Sequence, residues 1–448
     1  MRMRGSPVVV PLVAASALLV GLLPASAAQT PPYQHIGTVT EPNTSLNDGF
    51  GSFDISFVDN QRDEYLLADR AGTDQTGTFI HGRIVVVDAD DGSLLKYVGA
   101  DQFSGNYNSP ASGLSGCAEV PRDPRNGPNG VLTDDDGFIW VGDGNKATSA
   151  CSGAGGTVTS ANSTIKVFDQ SGALVASIDN GGNRRADELA FGKVHGSGRI
   201  LISNPEEVKP NFPFATLINA DSRKILGKII YDEPKPASGL TDAVPPVGHG
   251  WDASNFGLEQ DVFDPEDGLF YLNVPGTVLN PGGEIDVISP EANAAGQGRV
   301  VKVMPLDNCG GSGLALAGDK LVVQCGGDIR VIQEDTGQQL GLFTDGAGAD
   351  EIWFDPADGN AYQGIIGPPI PGVPTAGVGI LDVRHLQYLG VVPVAAGLGT
   401  HSVAAGGRNN RIFLPMAEGS VAAHNAGNGG IGMFHRDDRE PRGGDEDN

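Results

Sequence analysis

Positive charge is scarce in this chain. Over 448 residues, 29 Lys and Arg stand against 55 Asp and Glu, a formal net charge of −26. Phosphate backbones and anionic lipid heads would be repelled, which argues against nucleic-acid and membrane-surface partners. Cysteine is also sparse, at Cys117, Cys151, Cys309 and Cys325. No CxxC spacing or paired His accompanies these four, which argues against a thiolate zinc site. After residue 27 no apolar run is long enough to cross a bilayer, so the mature chain is expected to have no membrane span. No long stripe of apolar residues at helical period occurs, so helix content should be low. A GxSxG nucleophile elbow is missing. The glycine-rich stretch Ser152–Gly156 lacks the strand–helix context of a phosphate cradle.

The first residues read as a secretory signal. Arg2 and Arg4 precede an apolar run from Pro7 to Leu23, and Ala25-Ser26-Ala27 fits the small-residue cleavage pattern. The alternative, a membrane anchor, is disfavoured by the short apolar segment and the Pro at each end. Secretion, extracellular or periplasmic, would place the cysteines in an oxidising compartment. Of three connectivities, the two local pairings Cys117–Cys151 and Cys309–Cys325 are expected. The chain then divides into a signal peptide over 1–27, one domain over 28–434 and an acidic disordered tail over 435–448. A monomer is expected.

What fills that domain is a repeated sentence: a polar pair, a short apolar strand, a tight polar turn and a second strand. Asp350-Glu351-Ile352-Trp353-Phe354-Asp355-Pro356-Ala357-Asp358-Gly359 states it most clearly, and Glu259-Gln260-Asp261-Val262-Phe263-Asp264-Pro265-Glu266-Asp267-Gly268 repeats it. Weaker copies start at Asp54, Pro128, Asp187, Ser312 and His401. Each copy is followed by a second hairpin, such as Arg83–Asp88 with Leu94–Val98. Two hairpins per repeat make a four-stranded antiparallel unit, and a series of such units predicts an all-β propeller. Seven blades are expected. Six is the runner-up, if the first or fifth copy is not a true blade. Residues 28–50 are expected to supply a lead-in strand that completes the last blade.

In a propeller the first strand of each blade lines the central channel, so the residues just before it ring one mouth. Aligning the copies gives two columns. Asp54, Pro128, Asp187, Glu259, Ser312, Asp350 and His401 form the first; Ile55, Asn129, Glu188, Gln260, Gly313, Glu351 and Ser402 form the second. Second-strand ends add Asp143, Asn204 and Asn273. Hard oxygen ligands at this density suit a divalent cation, Ca²⁺ first, with Mg²⁺ or Zn²⁺ as alternatives. Asn129, Glu188 and Glu351 are the candidate metal ligands. His401, Asp350 and Asp187 are the candidates for moving protons. Asp54, Asp143, Asn204, Glu259, Gln260 and Asn273 are expected to face a small-molecule ligand at the mouth. A cation there would polarise a carbonyl and lower the pKa of water. The same residue set also suits a non-catalytic binding scaffold, or lyase or isomerase chemistry.

The motif Asn126-Gly127-Pro128-Asn129-Gly130-Val131, followed by Asp136-Gly137-Phe138-Ile139-Trp140-Val141, resembles the Asn-Gly-Val…Asp-Gly…Trp-Val signature of the gluconolactonase/senescence-marker superfamily. Arg185–Leu189, Ser203–Glu207 and Thr400–Ala404 resemble secreted bacterial propellers with gluconolactonase-like or YVTN-like repeats. The resemblance implies a divalent ion in the channel and hydrolysis of a lactone or related small ester. Asn129 matches the Asn of the family's Asn-Gly motif.

Overall fold

The computed structural model describes residues 32–39, 53–70, 72–73, 79–80, 82–100, 102–103, 127–144, 163–182, 184–205, 207, 212–231, 257–277, 279–366, 376–394, 398–418 and 430–436. The expected signal peptide, the Cys117–Cys151 pair and all of the expected tail except residues 435 and 436 lie outside these residues.

The strand Glu64–Asp69 shows how the apolar runs fold. Tyr65 and Leu67 join one buried cluster, while Leu66 and Ala68 join another. Its neighbour Arg83–Asp88 does the same, with Val85 and Val87 on one side and Ile84 and Val86 on the other. Successive side chains point to opposite faces of a sheet. A run that is apolar at every position therefore needs both faces covered. Each sheet meets that need by standing between two others.

Seven sheets repeat this arrangement. Six are four-stranded antiparallel meanders in chain order, with innermost strands Phe53–Asp59, Gly127–Thr133, Leu189–Val194, Asp261–Asp264, Leu314–Ala317 and Ala349–Asp355. The seventh is built on Ala404–Gly406, Arg411–Glu418 and Gly430–Arg436. Its outer strand comes from the other end of the chain: Tyr33–Val39 pairs antiparallel with Gly430–Arg436. The expected lead-in strand thus closes the ring, which leaves no open seam between first and last blades. The molecule is a seven-bladed β-propeller, and the first and fifth copies are both true blades.

Seven separate clusters fill the seven gaps between blades. Trp140, fully buried between the second and third blades, donates its indole N–H to Asp134 Oδ2 at 2.8 Å. The repeated Asp-Pro-x-Asp-Gly turn has one geometry in both clear copies. Asp264 accepts the Glu266 N–H at 2.7 Å, and Asp355 accepts that of Ala357 at 2.9 Å. Gly268 and Gly359 close these turns at φ of 75° and 77°, a region that favours glycine. Cys309 and Cys325 form the expected disulfide.

The inner strands share one irregularity. At the mouth end, two residues oppose one on the second strand. The ladder skips Asp54 and Ile55 in the first blade, Asn129 and Gly130 in the second, and Asp350 and Glu351 in the sixth. In the third blade Asp187 and Glu188 both bond to the backbone of Ser203; in the fourth, Glu259 and Gln260 both bond to Asn273. Ser312 and Gly313 do so with Gln324 in the fifth. A bulge re-aims the side chains it carries. Here it turns two residues per blade toward the mouth. One expectation is corrected: Asn129 stands in the first column beside Asp54 and Asp187, and Gly130 takes the second. The second blade enters its bulge one residue later than the sequence alignment put it. Only glycine fits there, because a Cβ on Gly130 would lie 2.1 Å from the Asp187 carbonyl oxygen.

Candidate ligand site

The mouth has two unlike sides. On the first, Arg70 bonds both Asp54 and Asn129, with its Nε 3.1 Å from Asn129 Oδ1. Arg185 reaches Asp187 at 2.8 Å and Asp54 at 3.6 Å. His401 Nε2 lies 3.2 Å from Asp54 Oδ1, and its ring stacks on Phe53 with centroids 4.8 Å apart. Burial pushes the Asp54 carboxyl up, but Arg70, the His401 hydrogen bond and Arg185 together hold it well below the usual carboxylate range. Burial outweighs Arg185 at Asp187, and the nearby Asp54 charge adds to it, raising that group to about 6.

On the other side no guanidinium among the described residues is in ion-pair contact, and Arg185 acts there only through its charge. Glu188 of the third blade and Glu351 of the sixth come from positions three blades apart and meet carboxyl to carboxyl. Both are buried, at 7% and 4% exposure. Glu188 Oε2 has no hydrogen-bond partner among the described residues. Burial, then each other's charge and that of Glu259, pushes Glu188 well above the carboxylate range. Burial and the adjacent Asp350 do the same to Glu351. Glu259 is raised by burial and by Asp350, against the pull of Arg185. Asp350, beside Ser312, is raised by burial in spite of His401. Two like charges cannot both ionise cheaply in such a place.

Gln260 ties this side together. Its amide accepts from the Leu314 N–H at 2.8 Å and donates to the Ile352 carbonyl at 3.1 Å, so one side chain clips three blades. Beneath Glu188 and Gln260 the inner strands enclose a channel of about 370 Å³. Its walls carry Phe57, Phe191, Phe263, Leu316, Trp353 and Phe354, all half-buried, with Phe57 edge-on to Trp353 at 5.4 Å. Asp261, Ser56 and Thr133 are among its polar lining.

The structure therefore brings together Asp54, Asn129, Asp187, Glu188, Glu259, Gln260, Asp350, Glu351 and His401. Among the expected metal ligands, Glu188 and Glu351 meet, while the Asn129 oxygen is engaged by Arg70. The remaining three candidates play another part. Asn204 and Asn273 are fully buried and spend amide donors on loop carbonyls, Asn204 on Arg185 at 2.8 Å and Asn273 on Ser312 at 3.1 Å. Asp143 is likewise buried, accepting from Thr164 at 3.2 Å with Lys166 at 3.9 Å. They shape the mouth from behind.

Sequence reasoning passed over Arg70 and Arg185. The signal was present: Arg185 sits two residues before Asp187, and Arg70 follows the second strand of the first blade directly. A second acidic group also went unnoticed, on the turns at the opposite end of the fourth and fifth blades. Asp264, Asp267 and Glu334 offer ligand atoms that all lie within 4.8 Å of one another, the one such set among the described residues.

No protein-family model matches this chain, and no curated protein matches it. Solved structures do: 881 chains match. Among them is a chain in the crystal structure of a mitotic checkpoint complex, at 13% identity and a TM-score of 0.50, covering 92% of this chain and 98% of that one. At such identity the likeness carries the propeller fold alone.

Proposed function

We propose that this protein is a small-molecule-binding propeller that recognises positive charge at its channel mouth. The observation that supports it is the meeting of Glu188 and Glu351, two buried carboxyls with no cation in contact and one oxygen without a partner among the described residues. Buried charge is tolerated where it is paired or binds a ligand. The reading includes export of the mature chain, supported by the apolar leader and the Cys309–Cys325 disulfide.

A second reading, metal-assisted hydrolysis of a lactone or small ester, is favoured by His401. It is the partly exposed imidazole of the mouth, oriented by Asp54 and Phe53. In that reading Glu188 and Glu351 hold a divalent ion, and His401, Asp350 or Asp187 moves protons. Asn129 would contribute only after leaving Arg70.

Elemental analysis of the purified mature chain, with melting curves in the presence and absence of chelator, separates the two. One tightly held divalent ion per chain, lost in Glu188→Gln, supports the metal reading and calls for a lactone and ester screen. No ion and no chelator effect sinks the metal reading and leaves charge recognition to be tested with organic cations.

A further inference from the structure

We infer that the channel takes an organic ammonium ion with an apolar body, its nitrogen at Glu188 and Glu351 and its carbon frame between the aromatic walls below. This rests on the charge-recognition reading above and narrows it to one chemical class.

Three observations carry the step. First, one carboxyl of the pair opens onto a cavity: Glu188, with Gln260, lines the 370 Å³ channel, and Glu351 meets Glu188 beside it. That volume lies within the roughly 300–1,000 Å³ range of small-ligand sites. Second, the wall below is mostly apolar, with Ser56, Thr133 and Asp261 as its polar members. Leu189 and Phe191 follow Glu188, Val262 and Phe263 follow Gln260, and Trp353 and Phe354 follow Glu351. These side chains are half-buried, so apolar surface remains for a ligand to cover. Third, Phe57, Trp353, Phe191 and Phe263 are half-buried side chains of the lining, and aromatic rings attract a desolvated cation.

A bare divalent ion would use little of this. Ca²⁺ takes six to eight oxygen ligands. Glu188 and Glu351 offer two carboxyls, the Gln260 oxygen is spent on the Leu314 N–H, and the wall below is mostly hydrocarbon, with oxygens only at Ser56, Thr133 and Asp261. An ammonium group needs only a few acceptors, and those present include the partnerless Glu188 Oε2. Asp261, which also lines the channel, adds a further carboxyl one position below Gln260. A carboxylate ligand would face the same groups with the wrong sign, and a neutral one would gain no charge pairing from them.

Isothermal titration of the full mature chain tests this with five probes: 4-phenylbutylamine, 4-phenylbutanol, 4-phenylbutyrate, methylammonium chloride and calcium chloride. The expected result is binding of 4-phenylbutylamine at least tenfold tighter than the alcohol, the carboxylate or methylammonium. The double variant Glu188→Gln, Glu351→Gln is expected to lose at least tenfold in amine affinity. Equal binding of amine and alcohol overturns the inference, as does amine binding that the double variant leaves unchanged. Calcium binding without amine binding overturns it while the charge-recognition reading stands. Binding by none of the cations removes both. The wild-type probe series decides the matter even if the double variant fails to fold.

Discussion

The two sides of the mouth are built from the same bulge and the same residue type, yet they solve the charge problem in opposite ways. Around Asp54 the chain supplies its own partners: the Arg70 and Arg185 guanidiniums and a His401 hydrogen bond converge on one carboxylate and keep it ionised. Around Glu188 and Glu351 no cation among the described residues is in contact, and burial drives both carboxyls toward the protonated form. A protein with only 29 cationic residues has placed two guanidiniums within one ring of six acids. The braced side reads as architecture, fixing the first three blades around the mouth. The unbraced side is where an incoming cation would gain most.

Removing a brace should have the largest effect. Arg185→Met removes the guanidinium in contact with buried Asp187, while Arg70 still holds Asp54, and breaking a buried pair from one side costs about 3–5 kcal/mol. Urea denaturation at neutral pH should show that loss. A change near zero would mean that the guanidinium braces nothing. Next comes pH. Asp187, at about 6, holds its proton in the fold over a range where the unfolded chain, near 3.8, has released it. Stability should therefore fall as pH rises through roughly 4 to 6. It should fall further as Glu188, Glu259 and Glu351 are forced to ionise, and melting midpoints measured from pH 5 to 9 will show the slope. Asp54 works the other way: its stabilisation is present above its unfolded value and lost as pH falls below it.

Glu351→Gln sharpens the comparison with a smaller effect of opposite sign to Arg185→Met. It removes one of the two facing carboxyls, so the melting midpoint should rise by a few degrees at pH 8 and the alkaline slope should flatten. A fall at pH 8 would show that the pair is already compensated. The smallest effect is expected at His401→Ala. It removes a ring stacked on Phe53 and one hydrogen bond to Asp54, about 0.5–1.5 kcal/mol. Arg70 and Arg185 remain to hold Asp54.

Much of this was legible before any coordinates. The Asp-Pro-x-Asp-Gly turn has no other reading, because its Asp caps backbone N–H groups and its Gly adopts positive φ. Strands that are apolar at every position, like Tyr65–Ala68, ask for sheets covered on both faces, and repetition turns that into a ring. The acids before each inner strand could be placed at one mouth by counting. The one-residue shift at Asn129 was not legible, because Asn-Gly is compatible with either side of a bulge until the Asp187 carbonyl packs against Gly130. Nor was the difference between Asn273, which holds a loop, and Glu188, which meets another acid. Both are polar residues at strand ends, and only the neighbouring blade decides.

The sequence by itself determined the blade, its hairpins, its turns and the acidic character of one mouth, since these follow from local backbone preference and from period-two burial. The tertiary structure decided the number of neighbours each blade must satisfy, the closure of the last blade by Tyr33–Val39, and the division of the acids into a braced and an unbraced set. Those outcomes depend on contacts between residues more than a hundred positions apart, such as Glu188 with Glu351 and His401 with Asp54. Local propensity carries no information about such distances; only the geometry of ring closure sets them.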